Sequence, residues 1–133
     1  GLVSGCLTEI PGASYVFDRG FVVYSNDAKM TNLAVSYKTI QDFGAVSAET
    51  ALEMAMGAIS ASHADIAVSV TGIAGPDGGT PEKPVGLVYL GISIDGNKKS
   101  YAVQHHFTGT RTEIRLKTVE IALLMLKKEI EKF

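Results

Sequence analysis

The sequence predicts an α/β fold, a three-layer α/β/α domain whose central sheet is mixed. Short β-branched runs alternate with helical periodicities along the chain, two of those runs are joined by a hairpin signal, and a long amphipathic helix at the end needs a sheet to cover. No repeat, low-complexity tract or linker composition divides the 133 residues, so residues 1–133 read as one domain.

Leu2 to Leu7 is the end of a helix, stopped by the turn Ile10-Pro11-Gly12-Ala13-Ser14. Gly20-Phe21-Val22-Val23-Tyr24 is expected to be a buried strand. Asn26 is placed as the N-cap, and Asp27 in the first turn, of a helix running to about Val35. Lys29 then sits one turn inside that helix, near the end of the preceding strand. A further helix, Tyr37 to Phe43, is closed by Gly44. Ser47 caps a stronger one, with Leu52, Ala55, Met56 and Ile59 at helical spacing.

Asp65 to Thr71 reads as a strand, followed by the Gly- and Pro-rich loop Gly72 to Pro84. Val85 to Ile94 and Ser100 to Phe107 are strands joined through Asp95-Gly96-Asn97-Lys98. In the closing helix Thr110 and Glu113 have capping-box spacing, and Val119, Ala122, Leu123, Leu126 and Ile130 form the apolar stripe.

Composition excludes several classes of function. Hydrophobic residues at 46% and charged ones at 20% are globular values and argue against disorder. Twelve Lys+Arg against fourteen Asp+Glu give a formal charge of −2, so a nucleic-acid partner is not expected. Cys6 is the one cysteine, which rules out an internal disulfide framework and a cysteine-cluster zinc site; a reducing cytoplasm is the expected compartment. No apolar run approaches the roughly 18 residues of a membrane span.

The chemistry-bearing residues fall into three segments. In Tyr24-Ser25-Asn26-Asp27-Ala28-Lys29 a strand end feeds a helix start, a place where free N–H groups and the helix dipole collect ligands. A lysine held there can lose its proton by desolvation and act as a base; the plain alternative is a cap beside a solvated lysine. The loop that opens Thr71-Gly72-Ile73-Ala74-Gly75 and continues through Gly78 and Gly79 lacks the spacing of a nucleoside-triphosphate loop and leads into a strand, not a helix. Its glycines allow close main-chain approach to an anion, or simply serve a rigid connection.

The third segment opens the last helix with Thr108-Gly109-Thr110 and places Arg111 and Arg115 four apart on one face. Basic groups at a helix N-terminus oppose the dipole, so phosphate binding or ion pairing must account for them. His105 and His106 point to opposite faces of a strand without a third ligand, so no metal site is expected. No complete catalytic unit emerges from the residues alone.

These three segments resemble, in the same order, the C-terminal domain family of the competence/damage-inducible protein CinA, which includes nicotinamide-nucleotide amidases. The resemblance is carried by Leu7-Thr8-Glu9-Ile10-Pro11-Gly12-Ala13-Ser14, Gly20 to Lys29, Gly44-Ala45-Val46-Ser47, the run Val70 to Gly86, and Phe107-Thr108-Gly109-Thr110-Arg111. It covers essentially the whole chain.

The resemblance implies hydrolysis of nicotinamide mononucleotide to nicotinic acid mononucleotide and ammonia by a Ser–Lys pair, with no metal or cofactor. The family serine belongs to a Glu-Ser-Cys-Thr-Gly-Gly motif, of which Gly1 matches the last glycine. The serine and the family's first strand and helix are therefore expected upstream of Gly1. Lys29 matches the family lysine, with Tyr24 expected to orient it. Ser25, Asn26, Thr71, Gly72, Ile73, Ala74, Gly75, Gly78 and Gly79 are expected at the substrate, and Arg111 or Arg115 at its phosphate. A homodimer or higher homo-oligomer is the expected assembly. The competing reading is a nucleotide-binding or regulatory module without hydrolysis.

Overall fold

A computed structural model describes residues 1–133. The helices are α1 (Leu2–Thr8), α2 (Asn26–Leu33), α3 (Tyr37–Phe43), α4 (Ala48–Ser60) and α5 (Arg111–Ile130), with a 3₁₀ turn at Ala13–Tyr15. The strands are β1 (Ile66–Gly72), β2 (Leu87–Ile94) and β3 (Lys99–His106). The three form one antiparallel sheet in the order β1-β2-β3. The α/β class and its three layers are as expected, but no parallel pair is present, so the sheet within these residues is not mixed.

α4 crosses all three strands on one face of the sheet, with α2 and α3 packed against it; α5 covers β1 and β2 on the other face and carries α1. Strand alternation explains the difference between the faces. Val88, Leu90 and Ile92 project towards α5, where they meet Ile114, Ala122 and Leu126. The opposite face carries Ala67, Ser69, Gly91 and Ser93 where α4 crosses it, so α4 comes close. A Cβ on Gly91 would collide with the carbonyl oxygen of Ala51, and that same oxygen accepts the Ser69 hydroxyl.

The caps at Ser47, at Gly44 and at Thr110–Glu113 form as the sequence predicts. The hairpin also forms, with Asp95, Gly96 and Asn97 all at positive φ. Ile130 departs from the predicted stripe. It is exposed, while Ile114, Thr118 and Glu129 are buried beside Val119, Ala122 and Leu126. The Glu129 carboxylate is sheltered at 3% exposure because Lys99, Lys132 and the Tyr101 hydroxyl all donate to it.

The larger correction concerns Gly20–Tyr24. The segment pairs with no strand within residues 1–133; Val23 is buried against Leu33, Val35 and Met54, and half-buried Phe21 packs on the same cluster. Arg19 holds its lower end by donating to the Ala61 carbonyl, and Asp18 accepts the His63 N–H. A cleft of about 650 Å³ separates it from the free edge of β1, lined by apolar side chains such as Val3, Leu7, Val68, Ile114 and Leu126. The composition of the run suits a strand, but ladder pairing needs a neighbour at about 4.8 Å, and the cleft lies there instead.

Candidate functional site

The site gathers at the end of the sheet where β1 finishes and β2 begins. Ser25, not Asn26, is the N-cap of α2: its hydroxyl accepts the Ala28 N–H at 3.0 Å, and Asn26 is the first helical residue. This sets Lys29 and Leu33 on one face, and they are the two buried residues of the helix. Lys29 is 7% exposed. Its Nζ donates to the carbonyl of Val23 at 3.0 Å and to that of Tyr24 at 3.3 Å. Burial lowers its pKa from the ordinary lysine value, since no carboxylate is at hand to hold the proton.

Tyr24 therefore reaches Lys29 through its main chain. Its phenol is 85% exposed and makes no hydrogen bond to the lysine, contrary to the expectation that it orients the ammonium.

The facing wall is β1 and the turn before α4. The Thr71 hydroxyl donates to Ala45 O at 2.7 Å, and the hydroxyls of Ser47 and Thr50 both donate to Gly44 O. Thr71 is thus committed to holding this turn. Ile73 N–H bonds Leu87 O, and antiparallel alternation then directs the Gly72 N–H away from β2, toward the cleft. Gly72, Ala74 and Arg115 line that end of the cleft together with Gly1 and Tyr24. Beyond Ile73, the N–H groups of Ala74, Gly75, Asp77, Gly78 and Gly79 donate to nothing within the chain. Gly75 has φ +78°, and a side chain there would run into Val85.

The two arginines divide their work. Arg111 Nη1 donates to Gly75 O at 2.7 Å. Arg115 has no hydrogen-bond or ion-pair partner and borders the cleft. Lys83, which the sequence offered only as a loop residue, donates to the Phe43 carbonyl at the end of α3. Lys117 donates to Thr108 O at 2.6 Å.

The cations differ in the partners they take. At the far end of the sheet Lys98 pairs with Asp95, Lys99 and Lys132 with Glu129, and Arg19 with Asp18. At this end Lys29, Lys83, Arg111 and Lys117 bond neutral main-chain carbonyls, and Arg115 bonds nothing. The same end also carries the acids Asp27, Asp77, Glu82 and Glu113, none of them in an ion pair, so it holds unpaired charges of both signs. No three His, Cys, Asp or Glu side chains converge as metal ligands, and no helix is long and apolar enough to cross a membrane.

The model of the CinA C-terminal domain matches residues 1–130. The chain belongs to the CinA C-terminal domain family. It is 53% identical over 130 residues to a competence-damage inducible protein of Caldicellulosiruptor bescii, covering 98% of this chain and 31% of that protein. A protein of the same description from Clostridium novyi is 50% identical over 130 residues, with the same coverage. The chain thus spans about a third of the curated relatives it matches.

Among solved structures it is similar to the competence/damage inducible protein CihA of Agrobacterium tumefaciens. There the TM-score is 0.93 and the identity 53%, over 96% of this chain and 78% of that one. A CinA superfamily protein of Escherichia coli follows the same course, with TM-score 0.89 and 33% identity over 95% of this chain and 72% of that one. Within this fold Gly72, Ala74 and Arg115 border the cleft with Tyr24, whose carbonyl accepts from Lys29, while Gly78 and Gly79 line a separate hollow with Pro76 and Val85.

Proposed function

We propose that this CinA-family domain belongs to an amidohydrolase that converts nicotinamide mononucleotide and water to nicotinic acid mononucleotide and ammonia. The observation that carries the reading is Lys29: a buried ammonium without a carboxylate, held at the helix start by two main-chain carbonyls. The nucleophile in this reading is a serine upstream of Gly1.

Neutral Lys29 takes the serine proton as the serine oxygen attacks the carboxamide carbon. It then gives that proton to the departing ammonia, leaving an acyl-serine ester. Water attacks the ester, Lys29 accepts the water proton, and the proton returns to the serine as the carboxylate leaves. The Gly72 N–H, directed toward the cleft, is suited to stabilise the oxyanion. The unspent N–H groups of the loop meet the ribose-phosphate, and Arg115 is the guanidinium free to pair with the phosphate. A second copy of the chain completes the assembly.

The test is ammonia release from nicotinamide mononucleotide by the polypeptide carrying this domain together with the residues before Gly1, with and without a chelator. Turnover unaffected by the chelator supports the Ser–Lys reading, and turnover lost with the chelator and regained with zinc overturns it. A residue other than serine at the upstream position would favour a binding or regulatory module instead.

A further inference from the structure

The loop from Gly75 to Lys83 touches the rest of the domain by side-chain hydrogen bonds at its two ends. At one end the Arg111 guanidinium reaches the Gly75 carbonyl from the first turn of α5. At the other the Lys83 ammonium reaches the Phe43 carbonyl at the last turn of α3. Between them the loop is braced only by itself: Thr80 N–H bonds Lys83 O and Lys83 N–H bonds Thr80 Oγ1. Residues 77 to 82 are all exposed.

We propose that Lys83 and Arg111 are positioning residues that clamp this loop at both ends, holding its unspent N–H groups in register with the site. Three features of the structure argue for a clamp rather than for surface chemistry. Arg111 grips the loop's own main chain at Gly75, and Lys83 carries the other end of the loop to the main chain of Phe43. Lys83 lands on Phe43, next to the Gly44–Ala45 turn that Ser47, Thr50 and Thr71 also hold, so the loop is referenced to the same turn as β1. Carbonyl partners also leave neither donor paired with a carboxylate, so the clamp does not cancel their charges. A lysine-to-carboxylate clamp would hold the loop equally well and cancel that charge.

The inference rests on the reading that the loop main chain meets the nucleotide, and its test separates the two. The variants are Lys83→Met and Arg111→Met, which keep side-chain length without the donor, and Lys83→Arg, which restores a donor. Two measurements are made on the longer polypeptide: steady-state kinetics with nicotinamide mononucleotide, and calorimetric binding of the same nucleotide in a Lys29→Gln background.

Lys83→Met is expected to raise KM and Kd about tenfold with kcat nearly unchanged, the loss of one hydrogen bond that acts on binding. Lys83→Arg is expected to return both to near the parent value, and Arg111→Met to act as Lys83→Met does. Unchanged KM and Kd in an active protein would overturn the clamp while leaving the amidase reading intact. A fall in kcat at unchanged KM, or no recovery in Lys83→Arg, would also overturn it. Weakened nucleotide binding in a protein that releases no ammonia would support the clamp and remove the amidase reading.

Discussion

The Lys29 ammonium lies 3.0 Å from the carbonyl oxygen of Val23, the one buried residue of the 20–24 segment. The contact ties the position of a titratable group to an extended segment that no strand supports. A carbonyl accepts a hydrogen bond without supplying the charge that would hold a proton, so the bond orients the amine while burial favours its neutral form.

Replacement of Lys29 in the longer polypeptide separates orientation from proton transfer. Lys29→Gln is expected to lower kcat by about 10²–10⁴-fold while KM moves much less. Lys29→Arg should fail as well, because guanidinium stays protonated at accessible pH. Near-normal kcat in Lys29→Arg would reduce the lysine to a positive charge. The parent kcat should rise with pH through a pKa below the ordinary lysine value. Stability should also rise with pH above that folded pKa, up to about 10.4, because the unfolded lysine still binds its proton there.

The 133-residue chain alone is expected to release no ammonia. Lys29 Nζ meets two carbonyls and no hydroxyl, and the nearby Ser25 hydroxyl is spent as the cap of α2. Measurable turnover by the purified chain would place the nucleophile within it, and loss of that turnover in Ser25→Ala would identify it.

Glu129 gives an acid-sensitive element. Hydrogen bonds from Lys99, Lys132 and Tyr101 hold its carboxylate down to about 2, well below an ordinary glutamate. Its contribution to stability is complete above the unfolded value of about 4.3 and is lost as pH falls from there through the folded value. Denaturant melts between pH 2 and 5 should therefore show a steeper loss of stability in the parent than in Glu129→Gln.

Gly91→Ala tests the close approach of α4 to the sheet. The added methyl meets the Ala51 carbonyl, a backbone atom that cannot rotate away. A loss of about 1–3 kcal/mol is expected from overpacking, measured as a lower denaturation midpoint at an unchanged slope. The same change at Gly96, which has open space around it, tests only the strain of its positive φ.

Local signals carried most of the elements. The serine, threonine and glycine caps, the capping box and the Asp95–Lys98 hairpin each depend on a few adjacent residues, and each forms where its residues stand. The Ser25 cap was displaced by one residue because serine and asparagine cap almost equally well. Ile130 was misplaced because a periodicity says which residues share a face, but not where the sheet beneath them ends. Lys83 carried no signal at all: its partner lies forty residues away, and Glu-Lys-Pro in a loop reads as surface.

The sequence by itself determined the α/β class, the order of elements, the placing of Lys29 one turn into a helix, and the glycine loop after a strand. These follow from short-range periodicity, caps and turn chemistry, which the chain expresses before it is packed. Tertiary packing settled that the Tyr24 carbonyl and not its phenol meets Lys29, that Arg111 reaches the Gly75 carbonyl, and that Lys83 reaches the Phe43 carbonyl. The last two join residues 36 and 40 apart in sequence. They are settled by which groups remain unsatisfied when the layers close, because a buried polar group needs a partner and takes the one the packing brings within reach.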